Sequence, residues 1–383
     1  MASPLPHIVI DARSMFTSTG RYTRMLIENL QDLDDEHRYT IVLPRAQVDD
    51  WVPRNERFAT TATDTPYFSL REQTAFAREL RELRPDLVHF AMPQQPLLLG
   101  ARRLTTFHDM TLLKIRNHKK HPLVSIGKRL VGAGAFTVAA HRSRVNLVVS
   151  ACSGRDLLAY TRVAPNRVMV TYPAADAITD AAEPERVPFR RFVLYVGTQV
   201  PYKNLAGLIR AVAQLREHDP SLGLVVAGKV DGDGARLIQD LSDVERAAVH
   251  FAGFVSDGRL RWLYENAAVY AFPSFFEGFG LPGLEAMRHG CPVVSSDATC
   301  LPEVYGDAAI YFDPSRVSAI GRALTQVIDD PATADILRER GRRRAEMYSW
   351  RFMALRTLDA YRDALARGSS TRADPTARRG TRE

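Results

Sequence analysis

The chain has 383 residues and is poor in cysteine and tryptophan, with three of each. Cys152, Cys291 and Cys300 are scattered and form no C-x-x-C pairing with histidines. That excludes a zinc pattern and a disulfide framework, leaves the thiols as small buried residues and fits a reducing cytoplasm. A long hydrophobic run is also missing: the longest uncharged apolar stretch, Leu130 to Ala140, is too short to span a bilayer. The N-terminus enters Ile8-Val9-Ile10 without a basic segment and a long apolar one, which argues against secretion. The expected location is cytoplasmic, either soluble or peripheral at the inner face of the membrane.

The length exceeds what one hydrophobic core usually supports, so two domains are expected. Lys and Arg number 51 against 44 Asp and Glu, a net charge of +7 that favours anionic ligands without naming one. Short β-branched runs at Ile8 to Ile10, Tyr39 to Leu43, Leu87 to Phe90, Asn146 to Val149 and Val168 to Thr171 alternate with helical periodicity. Tyr22, Leu26, Leu30 and Leu33 share one helical face, as a crossover helix on a parallel sheet requires. Residues 173 to 190 lapse into Ala, Asp, Glu and Pro, a linker composition. A second series follows, with strands at Phe192 to Val196, Leu222 to Ala227, Val249 to Phe251, Ala268 to Phe272, Pro292 to Ser295 and Ala309 to Phe312. The reading is α/β, with a first domain over 1–180 and a second over 190–349. A last helix over about 350–366 packs back on the first domain, and 367–383 is a disordered basic tail.

The most informative segment is FPSFFEGFGLPGLEAMRHGCPVVSS, Phe272 to Ser296: a strand end, a glycine turn, a helix carrying a carboxylate, and another strand. Gly278 and Gly280 allow close backbone approach, Pro282 suits a first helical turn, and free amides with the helix dipole suit an anion. Glu277 before the helix and Glu285 within it can both face the crevice beyond the strand's carboxyl end. Gly278, Gly280 and Gly283 also satisfy G-x-G-x-x-G, but this string lies four strands into its domain and holds an acid in the loop, which argues against a dinucleotide site.

The string P-S-x-x-E-G-F-G-L-P-x-x-E-A resembles the E-x7-E signature of the large family of retaining, GT-B glycosyltransferases typified by bacterial mannosyl- and glucosyltransferases. Tyr195-Val196-Gly197-Thr198 with Lys203-Asn204-Leu205 resembles the family's K-N-L pyrophosphate motif, and Phe251 to Val255 and Leu301 to Ala308 resemble later segments. In the first half Gly20-Arg21-Tyr22, His108-Asp109 and Ser150 to Ser153 resemble family loops. The resemblance implies two Rossmann-like doubly wound domains facing across a cleft, and front-face transfer from a nucleotide-diphosphate sugar, GDP-mannose or a UDP-sugar, without a metal. The acceptor would be a carbohydrate or lipid-linked hydroxyl in envelope or other glycoconjugate synthesis.

Carried over by position, Glu285 would take the ribose, Glu277 the donor sugar's hydroxyls, and Lys203 the diphosphate. Gly197, Thr198, Gly20 and the amides of Gly278, Phe279, Gly280 and Leu281 would line the donor. His108 is the acceptor-side candidate, an imidazole able to change charge near neutral pH with Asp109 to orient it. Arg21 and Tyr22 are loop or acceptor candidates. The family often has Arg where Tyr202 or Thr198 stands here, so the second diphosphate cation is unassigned, with Arg21 one choice. The basic run Lys114 to Arg129 suits a solvated face or an anionic membrane, and no nucleic-acid module accompanies the charge. The rival readings are a non-hydrolysing nucleotide-sugar epimerase and a catalytically silent nucleotide-sugar-binding module.

Overall fold

The β-branched runs form two separate parallel sheets. The computed structural model describes residues 4–17, 20–114 and 122–366, leaving aside the side chains of 112, 113 and 122–130. The tail from 367 and most of the basic run from Lys114 to Arg129 therefore lie outside the described residues. Lys114 itself pairs with Asp156 at 2.6 Å. The chain divides into two units, the first built from Met1–Val149, Gly154–Thr171 and Trp350–Glu383, the second from Ser150–Ser153 and Tyr172–Ser349.

Unit 1 holds a seven-stranded sheet of β1 (His7–Asp11), β2 (Arg38–Pro44), β3 (Phe58–Thr63), β4 (Leu87–Phe90), β5 (Arg103–Phe107), β6 (Val145–Val148) and β7 (Val168–Val170). Its order is β3-β2-β1-β4-β5-β6-β7, with every pairing parallel. Central strands such as β1 and β4 are buried along their whole length, as strands covered by helices on both faces must be. The helix Arg21–Leu33 buries Tyr22, Leu26 and Leu30 of the face its periodicity predicts, with Ile27 beside them, while Leu33 is half-buried. Against it packs the helix Trp350–Ala366, which buries Met353, Leu358 and Tyr361. The Thr-rich edge strand β3 and the polar-flanked β5 are the elements whose composition hides them most.

Unit 1 buries several polar groups in satisfied networks. Arg13, after β1, bonds Asp11 at 2.7 Å and Glu72 at 2.8 Å, and its guanidinium stacks over Tyr67 and Phe76. His89 bonds the Tyr361 hydroxyl through Nδ1 at 2.7 Å and Thr106 Oγ1 through Nε2 at 2.9 Å. Burial pushes His89 down to about 3 and also lowers His7 and His108.

Unit 2 holds a six-stranded parallel sheet of β8 (Arg191–Val196), β9 (Leu222–Ala227), β10 (Val249–Gly253), β11 (Val269–Phe272), β12 (Val293–Ser296) and β13 (Ala309–Phe312). Its order is β10-β9-β8-β11-β12-β13. Renumbered within the unit this is 3-2-1-4-5-6, the doubly wound order whose switch point lies between β8 and β11. Loops leaving those two strands run to opposite sides of the sheet and open a crevice at their carboxyl ends. The core beneath joins Val193, Tyr195, Leu208 and Val212 to Val269, Val294, Ile320 and Leu324.

Histidines held neutral in the fold give a signed prediction. Their folded pKa lies below the unfolded value, so their stabilisation is full above about pH 6.5 and is lost as pH falls, at up to about 1.4 kcal/mol per pH unit for each group. Calorimetry of the whole chain should show its first transition falling between pH 6.5 and 5.5, before exposed carboxylates titrate. A midpoint flat across that window would contradict the assignment.

Candidate active site

Two loops meet at the switch point of unit 2. After β8 the chain turns at Gly197, whose φ of +146° favours glycine, and its N–H donates to the Ala227 carbonyl at 2.9 Å. A short 3-10 turn, Pro201–Lys203, then leads through left-handed Asn204 into the helix Leu205–Arg216. After β11 the segment from Pro273 to Gly280 leads into the helix Leu281–Arg288. The loops are stitched by the Phe275 N–H donating to the Tyr202 carbonyl at 2.8 Å and by Lys203 Nζ, 3.1 Å from Glu277 Oε1. Lys203 and Glu277 are 15% and 14% exposed, sheltered but reachable.

Glu277 is held from three sides. Ser274 Oγ donates to its Oε1 at 2.8 Å, its own N–H donates to Thr299 Oγ1 at 3.1 Å, and Cys300 Sγ reaches its carbonyl at 3.3 Å. Glu285 lies one helical segment further on, nearly buried, and accepts from the Tyr264 hydroxyl at 3.0 Å. Tyr264 stacks on His289 with ring centroids 5.7 Å apart. Both carboxylates act on the buried Tyr270 hydroxyl, which burial first, and then neighbouring negative groups including Glu285 and Glu277, push well above the usual phenol range. Lys203, Glu277 and Glu285 thus converge at one end of one sheet.

The glycines of the turn are needed for tyrosine packing. Gly280 has φ of +100°, and a Cβ there would lie 2.5 Å from Tyr305 Oη; at Gly283 it would lie 2.3 Å away. The Tyr305 hydroxyl in turn donates to the Gly280 carbonyl at 2.6 Å. The Gly278 carbonyl accepts from Ser150 Oγ at 2.8 Å and Ser153 Oγ at 3.3 Å. Phe279 is buried by its side chain against Tyr172 and Tyr348, with centroids at 6.3 and 5.4 Å. Leu281 opens the helix. Among the described residues no backbone acceptor takes the N–H of Phe279, Gly280 or Leu281.

Other candidates behave differently. Thr198 is exposed and its carbonyl accepts from the Tyr195 hydroxyl at 2.6 Å. In unit 1, Gly20 caps the helix Arg21–Leu33 in ordinary helical conformation, and a Cβ there would strike the Ser14 carbonyl at 2.0 Å, so its role is close packing. Tyr22 is buried, its hydroxyl 3.1 Å from Thr171 Oγ1, and therefore stabilises unit 1 instead of lining an acceptor surface. Arg21 is the half-buried first residue of that helix. His108 donates from Nε2 to the Ala91 carbonyl at 2.9 Å, which leaves Nδ1 as the ring's basic atom, and meets Tyr22 edge-on at 5.0 Å. Burial lowers its pKa, which favours the neutral ring. Asp109 raises that pKa electrostatically, yet its Oδ1 accepts from the Thr111 N–H at 2.8 Å and caps a turn.

Thr299 and Tyr264 carry no motif of their own and escape a sequence reading, while Ser274 and Glu303 lie inside the family strings without a role assigned to them there. Glu303 accepts from the amides of Ala151 and Cys152 at 2.6 and 2.8 Å and from the Tyr172 hydroxyl at 3.1 Å. No D-x-D motif of the metal-dependent transferases is expected from the sequence, but D-x-D strings do occur at Asp32–Asp34 and Asp231–Asp233, and both serve local structure. Asp34 accepts from His37 and from the Tyr39 hydroxyl, and Asp231 caps a helix through the amides of Asp233 and Gly234. Among the described residues no group of three or more His, Cys, Asp or Glu is arranged to hold a metal ion.

The sequence model for glycosyl transferases group 1 matches residues 179–344, and that for Glycosyltransferase Family 4 matches residues 19–179. The O-antigen chain mannosyltransferase B of Escherichia coli is 31% identical over 268 residues, 68% of this chain and 70% of that protein. The chain belongs to this glycosyltransferase family. The MMP alpha-(1->4)-mannosyltransferase of Mycolicibacterium hassiacum is 36% identical over 229 residues, 58% of this glycosyltransferase and 54% of that protein. Sucrose-phosphate synthase from Thermosynechococcus elongatus superposes with a TM-score of 0.76 at 19% identity, over 95% of this chain and 100% of that one. Anabaena Alr3699/HepE, solved with UDP and glucose, gives 0.67 at 15% identity, over 94% and 100%. The glycosyltransferase therefore has the GT-B fold. No described helix is long and apolar enough to cross a membrane.

The tyrosine wedge gives a test of the turn. Gly283→Ala should cost about 1–3 kcal/mol by overpacking, measured by urea unfolding. In a Tyr305→Phe background, where the obstructing hydroxyl is gone, the cost should shrink. Equal costs in both backgrounds would remove Tyr305 as the reason for the glycine.

Proposed function

We propose that this glycosyltransferase moves a hexosyl group from a nucleotide-diphosphate sugar to an acceptor hydroxyl with retention at the anomeric carbon, in polysaccharide or glycoconjugate synthesis. A mannosyl donor is the first choice, because both relatives compared are named mannosyltransferases; the UDP held by the Anabaena protein keeps a UDP-sugar as the other. The observation that carries the reading is the Lys203–Glu277 pair at the switch point.

The chemistry follows from charge. Departure of a nucleoside diphosphate concentrates negative charge on the leaving oxygen, and a preplaced ammonium beside helix-terminal amides stabilises it without reorganising. Lys203 supplies the ammonium, and Phe279, Gly280 and Leu281 supply amide protons. Glu277, restrained by Ser274 and Thr299, orients sugar hydroxyls, while Glu285, held by Tyr264, takes the ribose. Retention follows when the acceptor attacks the face the leaving group departs, with the departing phosphate receiving the acceptor's proton. His108, just past the carboxyl end of β5, is the acceptor-side candidate. The reaction as written needs no metal.

Removing the ammonium tests this directly. Lys203→Ala should lower kcat about 10²- to 10³-fold, the cost of losing one transition-state charge contact, whereas Glu285→Gln should mainly raise the donor KM. Initial rates of nucleoside diphosphate release from GDP-mannose and UDP-glucose separate the two effects, and NMR of the product gives the anomer. An inverted product, or wild-type turnover by the Lys203 variant, sinks the mechanism.

A further inference from the structure

A cavity of about 280 Å³ lies in unit 1 at the amino ends of β5 and β6. Arg102, Arg103, Arg142, Arg144, Arg167 and His141 line it, and no Asp or Glu does. His108, at the other end of β5, is five residues from Arg103, roughly 16 Å along an extended strand. The cavity is therefore separate from the carboxyl-end loops.

Two of the arginines build the wall. Arg103 is 1% exposed and spends its guanidinium on the Pro96 carbonyl at 3.0 Å, Gln95 Oε1 at 3.2 Å and the Leu99 carbonyl. Burial, and then the charge of Arg142, push it down to about 10, so the two guanidinium groups repel. Arg167 donates to the His141 carbonyl at 3.1 Å. Arg102, Arg142 and Arg144 form no ion pair and no side-chain hydrogen bond among the described residues. A structural explanation is at hand, because the helix Pro122–Arg142 ends here and helix C-termini attract cations. That end amounts to about half an elementary charge, against five guanidinium groups. The excess raises the energy of the empty site, and a bound anion would relieve it.

We propose that this cavity binds a phosphate group, either on a small solute such as pyrophosphate or on a phospholipid headgroup. Guanidinium forks match phosphate oxygens two at a time, and three arginines with unused forks around a space of this size suit a compact dianion and not a long polyanion.

The donor loops would also attract pyrophosphate, so the test starts from the full chain carrying Lys203→Ala. Two probes are used at fixed ionic strength with chloride as control: pyrophosphate, followed by calorimetric titration, and phosphatidylcholine vesicles doped with phosphatidic acid, followed by co-sedimentation. Adding Arg142→Ala and Arg144→Ala, both at exposed positions, should weaken binding of at least one probe ten-fold or more without lowering the melting temperature. Arg102→Gln gives an independent second variant. Loss confined to pyrophosphate identifies a soluble ligand, and loss confined to vesicles identifies the headgroup. Equal binding with and without the arginines, or no binding of either probe by the Lys203→Ala chain, overturns the site.

Discussion

An ammonium–carboxylate contact, Lys203 to Glu277, joins the Phe275–Tyr202 backbone hydrogen bond in tying together the loops that leave two neighbouring strands of unit 2. At 3.1 Å and an effective dielectric of about 20 its attraction is on the order of 5 kcal/mol, most of which desolvation cancels. Its weight is therefore geometric. A parallel sheet with the order β10-β9-β8-β11-β12-β13 sends the connections after β8 and β11 to opposite faces, and only near the strand ends can they meet. The pair fixes that meeting point, with a cation on one loop and an acid on the other.

Around it, rigid aromatic packing does what a flexible glycine turn cannot. Tyr305 occupies the space that Cβ atoms at Gly280 and Gly283 would need, and its hydroxyl returns a hydrogen bond to the Gly280 carbonyl. Tyr264, clamped flat against His289, sets the position of Glu285. The buried Tyr270 hydroxyl has no hydrogen-bond partner among the described residues, and burial, with neighbouring groups that include the two carboxylates, raises its pKa. Glycine supplies the backbone path, and tyrosine removes the freedom glycine would otherwise bring.

How much of this was legible beforehand depends on whether the feature is local. Helices such as Arg21–Leu33 and Leu205–Arg216 and buried strands such as β9 announce themselves, because burial on one face or on both imposes a period on neighbouring residues. The edge strand β3, Phe-Ala-Thr-Thr-Ala-Thr, was not read, since an edge position asks for little hydrophobicity. Glu277 and Glu285 were visible through the turn chemistry around them. Thr299 and Tyr264, which help hold those carboxylates, were not, because a supporting hydroxyl bears no spacing rule, and Ser274 stood in the P-S-x-x-E string without a role. His108 shows a further limit: its residue type suggested titration near neutrality, and only its burial reveals a neutral ring.

The contrast between the two units has a physical basis. On the proposed reading, stabilising a leaving diphosphate needs a permanent charge that is already in place, and unit 2 supplies it with a lysine sheltered beside Glu277. Orienting a neutral hydroxyl needs a polar atom that does not attract water or bring a charge of its own. A histidine whose Nε2 proton is committed to the Ala91 carbonyl, and whose burial disfavours protonation, brings no such charge to the end of β5. On the proposed reading, the partner of each side chain selects its role: a carboxylate beside the cation, a backbone carbonyl on the imidazole's Nε2 proton.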